Sequence, residues 1–167
     1  MSEASIPHRV HLLGIGGIHM SAIARILLAW GHQVSGCDVK LSPLTERLRA
    51  LGAIVHEGHD AAHLNDADLA VMRSGASVMG ELPALSLPAV LVPYPYAGGH
   101  QRFNAHYLAD AGAALVVEDN KLNGFLPLVG ELLVDERRRA AMAEACRRLA
   151  RPNAARDIAR ILMEVAR

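Results

Sequence analysis

From residue 8 onward, short apolar runs alternate with stretches whose apolar positions recur at helical spacing. His8 to Leu13 reads as a buried strand. Met20, Ala24, Leu27 and Leu28 then lie on one helical face, which predicts a helix from Ser21 to Trp30. Gly31 stands where a left-handed residue ends a helix. The alternation continues with strands at 33–39, 53–56, 69–72, 89–92 and 114–117. Helices are expected at 43–51, 78–85 and 100–110, with a short helix or loop at 60–65. The remainder reads as helical with a break at Arg151–Pro152, and residues 1–7 read as a loose start.

Strands that alternate with helices at such short spacing predict a parallel sheet with right-handed crossovers. Six strands with a glycine-rich turn after the first predict the order 3-2-1-4-5-6. The expectation is therefore one doubly wound, Rossmann-like α/β domain over residues 1–167. In such a sheet a ligand sits beyond the carboxyl ends of the strands, at the crevice between strands 1 and 4. The segments that reach it are 14–19, Asp38, 73–77 and 94–101.

The turn itself is VHLLGIGGIHMS, Val10 to Ser21, with Gly14, Gly16 and Gly17 between strand and helix. Glycine permits backbone angles and a closeness of approach that a Cβ forbids. The helix N-terminus behind it offers free N–H groups and a positive dipole end to a diphosphate. His19 stands where the dinucleotide fingerprint carries its third glycine, so an imidazole is expected where helix and strand pack. A structural turn without a ligand is the alternative.

Composition narrows the function classes. Lys+Arg and Asp+Glu balance at 17 each, which removes a general electrostatic argument for nucleic acid. Arginines outnumber acids from Asp135 onward, a pattern of solvated helix faces. Apolar residues make up 51% of the chain but aromatics only 4%, so the core must be aliphatic. Cys37 and Cys146 are too few for a disulfide framework or zinc site, and a reduced cytoplasmic setting is expected. No apolar run is long enough for a membrane span, and the N-terminus does not resemble a signal peptide.

Several residues carry two readings each. Asp38 ends strand 2 about twenty residues past the glycine turn, where an acid takes ribose hydroxyls; it could equally cap the following segment. Ser74, Gly75 and Ala76, with Ser77, form a second small-residue turn entering a helix. It is either a second phosphate cradle or simple capping by one of the serines. Glu81 lies in the first turns of that helix, where the dipole favours a carboxylate with or without a ligand. Gln101 and Asn104 stand at i and i+3 near a helix start, one suited to capping and one to a ligand. The nine histidines are scattered singly, without a metal-type pair. No nucleophile elbow, catalytic triad order or P-loop is present.

Two resemblances cover two parts of the chain. Residues 8–71, through GIGGIHMSAIA, VSGCD and LRALGAIVHEGH in that order, resemble the N-terminal domain of the UDP-N-acetylmuramate–L-alanine ligases (the MurC type). The resemblance implies that Gly14, Gly16 and Gly17 face the diphosphate of a UDP compound and that Asp38 belongs to the same pocket. Residues 66–167 instead resemble the last half of the peptidoglycan N-acetylglucosaminyltransferases (the MurG type). The matching pieces are ADLAVMRSGASVMGEL, PAVLVPYPYAGGHQRFNAHYLADAGAALVVED and RRRAAMAEACRRLARPNAA. This implies Ser74, Gly75 and Ala76 by the donor diphosphate, Glu81 on the ribose and Gln101 on the sugar. Gly98 and Gly99 stand where that family carries an acidic residue before His-Gln.

Each half lacks domains its family possesses, so the expectation is a recombined or engineered chimera joined near Asp66–Arg73. It would be a scaffold without turnover and without an obligatory cofactor, with UDP or a UDP-sugar as its residual ligand. Two rivals stand beside it: a glycosyltransferase donor domain that needs a partner chain, and an NAD-binding domain. The helices after Pro152 are expected to expose an apolar face and to promote self-association.

Overall fold

The computed structural model describes residues 8–96, 98–119 and 124–166. The expected loose start at 1–7, and residues 120–123 of the expected helical remainder, lie outside the described residues.

The chain begins with β1 (Arg9–Leu13), the glycine turn and α1 (Ile18–Ala29). Gly31, at φ +86°, ends the helix as expected. Next come β2 (Gln33–Asp38), α2 (Pro43–Ala50) and β3 (Ile54–Glu57). Ser42 and Thr45 cap α2 reciprocally: the Ser42 backbone N–H donates to Thr45 Oγ1 at 2.7 Å, and Thr45 N–H donates to Ser42 Oγ at 3.4 Å. Pro43 supplies a preset φ at the first helical position.

A single 3-10 turn (Ala61–Leu64) leads to β4 (Leu69–Met72), followed by α3 (Val78–Leu85) and β5 (Ala89–Leu91). Then come α4 (His100–Asp110) and β6 (Ala114–Val116). The helical remainder is α5 (Phe125–Val134), α6 (Glu136–Leu149) and α7 (Ala154–Val165). A boundary at Asp135, which caps α6 by accepting from Arg138 N–H at 2.9 Å, was not legible in the helical periodicity.

All six strands form one parallel sheet in the order β3-β2-β1-β4-β5-β6. The seam between the two sequence halves is the β1–β4 pairing, with Val10 opposite Leu69, His11 opposite Ala70 and Leu12 opposite Val71. Arg9 and Asp68 bracket it: Asp68 N–H donates to the Arg9 carbonyl at 2.8 Å, and Arg9 N–H donates to the Asp68 carboxylate at 2.8 Å.

Two apolar layers sandwich the sheet. On one face α1, α2 and α5 bury Val10, Leu12, Leu27, Val71, Val90 and Phe125. On the other, α3, α4 and α6 bury Met72, Leu82, Leu91, Leu108 and Cys146. The core is aliphatic, as the scarcity of aromatics requires. Gly36 in β2 has a packing role: a Cβ there would lie 2.6 Å from both Ile15 Cδ1 and the Leu12 carbonyl oxygen.

Candidate functional site

β1 and β4 lie side by side, and each delivers the chain through a turn into a helix, α1 or α3, at the same edge of the sheet. Gly14 makes the first turn, at φ +71°. The N–H groups of Gly14 and Ile15 donate to the Cys37 carbonyl at 2.8 and 3.2 Å, which locks the turn onto the end of β2. Gly17 N–H donates to the Gly14 carbonyl at 2.9 Å. Gly16 N–H donates to Asp38 Oδ2 at 2.8 Å, and a Cβ on Gly16 would meet that oxygen at 2.8 Å and Thr45 Cγ2 at 3.0 Å.

The three glycine amides are thus held by protein acceptors. The donors that α1 leaves open are the N–H groups of Ile18, His19 and Met20, which have no acceptor among the described residues. The Asp38 carboxylate touches the glycine turn directly. It does not cap the following segment, because Ser42 performs that task, so the capping reading is corrected. His19 is exposed and does not sit between helix and strand. That expectation fails because the third glycine position falls on the outer side of the first turn of α1.

At the second turn Ser74 is fully buried. Its hydroxyl donates to the Gln101 carbonyl at 2.7 Å, while Asn104 Nδ2 donates to the Ser74 carbonyl at 3.0 Å. Neither Ser74 nor Ser77 caps α3 with its side chain, so the capping reading fails here too. The N–H groups of Gly75, Ala76, Ser77 and Val78 have no acceptor among the described residues. Gln101 spends its side-chain oxygen on Tyr94 N–H, at 2.9 Å, and α4 has no side-chain cap. Gln101 and Asn104 therefore tie β4, α4 and the β5–α4 loop together, and neither caps the helix.

Glu81 is half-buried in α3. Its charge reaches Cys37 at the end of β2: burial first, then the Asp38 and Glu81 carboxylates, pushes the Cys37 thiol up to about 11. Cys37 is therefore no thiolate nucleophile. Asp38 and Glu81 both bear on the end of β2, beside the open amides of α1 and α3.

Tertiary contacts that sequence spacing could not reveal complete the picture. Arg73 pairs with Asp119 at 2.5 Å and its guanidinium lies 5.4 Å from the centre of the Tyr94 ring. The histidines that look scattered in sequence converge on the opposite side of β1: His56 and His63 stack with ring centres 4.1 Å apart, and His59 Nδ1 lies 3.1 Å from Cys37 Sγ. His11, wholly buried, shares Nδ1 with Ser35 Oγ at 2.9 Å and leaves Nε2 without a partner among the described residues. Burial, then the His63, His56 and His59 charges, lowers the His11 pKa to about 4. Among the described residues no three His, Cys, Asp or Glu side chains are arranged to hold a metal ion.

Two helix N-termini with open amides thus stand at the crevice of a doubly wound, Rossmann-like sheet. The family model of the Mur ligase family, catalytic domain, matches residues 9–92, and that of the glycosyltransferase family 28 C-terminal domain matches residues 57–159. The chain belongs to both families, the first through its N-terminal half and the second through the rest.

A Desulforudis audaxviator protein named UDP-N-acetylglucosamine–N-acetylmuramyl-(pentapeptide) pyrophosphoryl-undecaprenol N-acetylglucosamine transferase is 46% identical over 109 residues, covering 64% of this chain and 29% of the relative. The UDP-N-acetylmuramate–L-alanine ligase of Solibacter usitatus is 47% identical over 88 residues, covering 50% of this chain and 19% of the relative. This chain thus spans about a third or less of such relatives. Among solved structures, MurG of Acinetobacter baumannii superposes with a TM-score of 0.73 over 97% of this chain and 51% of that one, at 23% identity. The Streptomyces glycosyltransferase SsfS6, complexed with thymidine diphosphate, gives 0.67 over 98% and 42%, at 20% identity. These two likenesses establish the shared fold. No helix among the described residues is long and apolar enough to cross a membrane.

Proposed function

We propose that this chain binds the diphosphate of UDP or a UDP-sugar at the β1–β4 crevice and performs no turnover of its own. One observation carries the reading: the N-termini of α1 and α3 flank the same seam, and both leave backbone N–H groups open. Each terminus contributes a partial positive charge where a diphosphate would lie. Gly14, Gly16 and Gly17 shape the first half of this cradle, and Ser74, Gly75 and Ala76 the second. Asp38 and Glu81 are the acceptors for ribose hydroxyls, with Gln101 toward the sugar. For Gly16 N–H to join the cradle, Asp38 must release it and turn to the ribose. That movement makes Asp38 a latch on the glycine turn. A solved structure of the glycosyltransferase SsfS6 complexed with thymidine diphosphate shares this fold over 42% of its chain, which supports the choice of ligand class.

The ligase-like residues 8–71 and the transferase-like residues 66–167 meet at β4, and recombination or engineering of two peptidoglycan-enzyme segments accounts for this arrangement. Strands 1–3 of the ligase-like part join strands 4–6 of the transferase-like part in one parallel sheet through the β1–β4 pairing. No cofactor is needed for the binding role. The cytoplasm suits the two buried free cysteines, Cys37 and Cys146. The exposed apolar stripe of α7 leads to self-association through the C-terminal helices.

Calorimetric titration with UDP, UDP-N-acetylglucosamine, UDP-N-acetylmuramate and NAD tests the reading. A UDP compound is expected to bind and, at a hundred times its Kd, to add about 2.7 kcal/mol to unfolding stability. Glu81→Ala should weaken it. Binding of NAD alone, or of nothing, would overturn the proposal. Measured turnover of a UDP-sugar by this chain would overturn the scaffold part and favour a donor domain of a transferase.

A further inference from the structure

Among the described residues, two apolar surfaces of this molecule have nothing packed on them. The first is α7, which has no buried residue. Ile158, Ile161, Leu162 and Val165 form one stripe along it, exposed by 54 to 80%. The second is a groove of about 630 Å³ between α1 and α2, whose walls include Ile18, Ala22, Leu44 and Leu51. Arg25 and Arg47 also line the groove, and neither has an ion-pair partner among the described residues.

We propose that α7 of one copy of this chain docks in the α1–α2 groove of a second copy, and that the exchange is reciprocal. The inference rests on the self-association described above and names the surface that receives the helix. Charge supports the match. Asp157, Ile161 and Glu164 stand at i, i+4 and i+7, so both acids border the same edge of the apolar stripe, about 10 Å apart along the helix axis. A groove lined by two unpaired arginines and no acid suits that edge. The existing Asp157–Arg160 contact, at 3.6 Å between exposed groups, is weak enough to give way.

The helix does not lie in the groove of its own chain: none of its residues is buried. The end of α6 is anchored at the start of β6, where Ala145 Cβ would touch a Cβ on Gly112 at 3.9 Å and Cys146 Sγ lies 3.6 Å from the Ala113 carbonyl oxygen. The groove lies over β2, four strand spacings away, or about 19 Å. The five steps from Leu149 at the end of α6 to Ala154 at the start of α7 extend at most about 17 Å. Helix α5 also stands in the way, with its Gly130 against Trp30 at the end of α1. A second copy meets no such limit. One short helix in one groove is a small contact, and reciprocal exchange doubles it while closing the assembly on a two-fold axis.

Sedimentation of the full chain over a range of concentrations tests this. The wild-type chain should form dimers, and Ile161→Asp should weaken them by at least about tenfold without altering the melting curve, because the residue is exposed. The decisive pair is D157R/E164R, with a basic α7, and R25E/R47E, with an acidic groove. Each alone should be monomeric, since like charges would meet. Their mixture should form a one-to-one heterodimer in which both contacts are complementary. A monomeric wild-type chain would overturn the inference. So would dimers of R25E/R47E alone as tight as wild type, which would leave self-association standing but place it elsewhere, and so would a mixture that fails to pair.

Discussion

The two halves of the sheet cover the same face in different ways. Over β4, β5 and β6 that face is sealed by α3, α4 and α6 with alanine, leucine, methionine and Cys146. Over β1, β2 and β3 it carries His11, Ser35, Cys37 and His56, and its cover is the 3-10 turn with His63. A cleft of about 430 Å³, lined by Arg9, Ser35, Ile54, His56 and His63 among others, opens there. The physical cause is the link from β3 to β4, which contains one 3-10 turn and no helix long enough to lie across three strands. A doubly wound sheet can therefore be continuous in its hydrogen bonds and still be unevenly covered. Stability should be lost differently from its two sides.

The sharpest way to break the comparison is at the seam. Leu69→Ala removes a fully buried side chain opposite Val10, and a loss of about 2–5 kcal/mol in denaturant unfolding is expected. A single cooperative transition in that variant would show that the two halves unfold together. Two transitions would show that each half has stability of its own.

Acid should single out the ligase-like half. The histidines with lowered pKa, His8, His11, His32 and His56, all belong to it. His11 titrates near 4 in the folded chain and near 6.5 when unfolded, so the unfolded chain holds more protons between those values. The contribution of His11 is complete above pH 6.5 and is lost as pH falls toward 4, by about 3 kcal/mol at most. His11→Gln should flatten that part of the stability-versus-pH curve. An unchanged curve would mean that His11 does not carry it.

Gly36→Ala should cost about 1–3 kcal/mol, because its Cβ would press on the Leu12 carbonyl of the neighbouring strand. Gly75→Ala offers the contrast in the other half, since nothing lies within 4 Å of a Cβ there and its φ is not in the left-handed region. Little change in melting temperature is expected for it. Ser74→Ala should cost about 1 kcal/mol in thermal unfolding, from the lost hydrogen bond to the Gln101 carbonyl. Its effect on UDP binding should exceed its effect on stability if the turn is a phosphate cradle. Equal effects would reduce Ser74 to a tie between β4 and α4.

What the sequence determined by itself is considerable: the six strands, their order, and the turns that would meet at the crevice all follow from apolar periodicity and a few glycines. β4, α3 and α4 have the expected ends, because local signals such as Gly99 before α4 and Pro88 after α3 mark them. These features are legible because they depend on residues close together in the chain. What only the tertiary structure decided is where each polar group finds its partner. Asp38 on Gly16, Ser74 on Gln101, Arg73 on Asp119, and the gathering of His11, His56, His59 and His63 join residues twenty or more positions apart in most cases. No spacing encodes such pairings, since they arise when parallel strands lay distant segments side by side. The exposed side of His19 was decided the same way, by how α1 lies against the sheet.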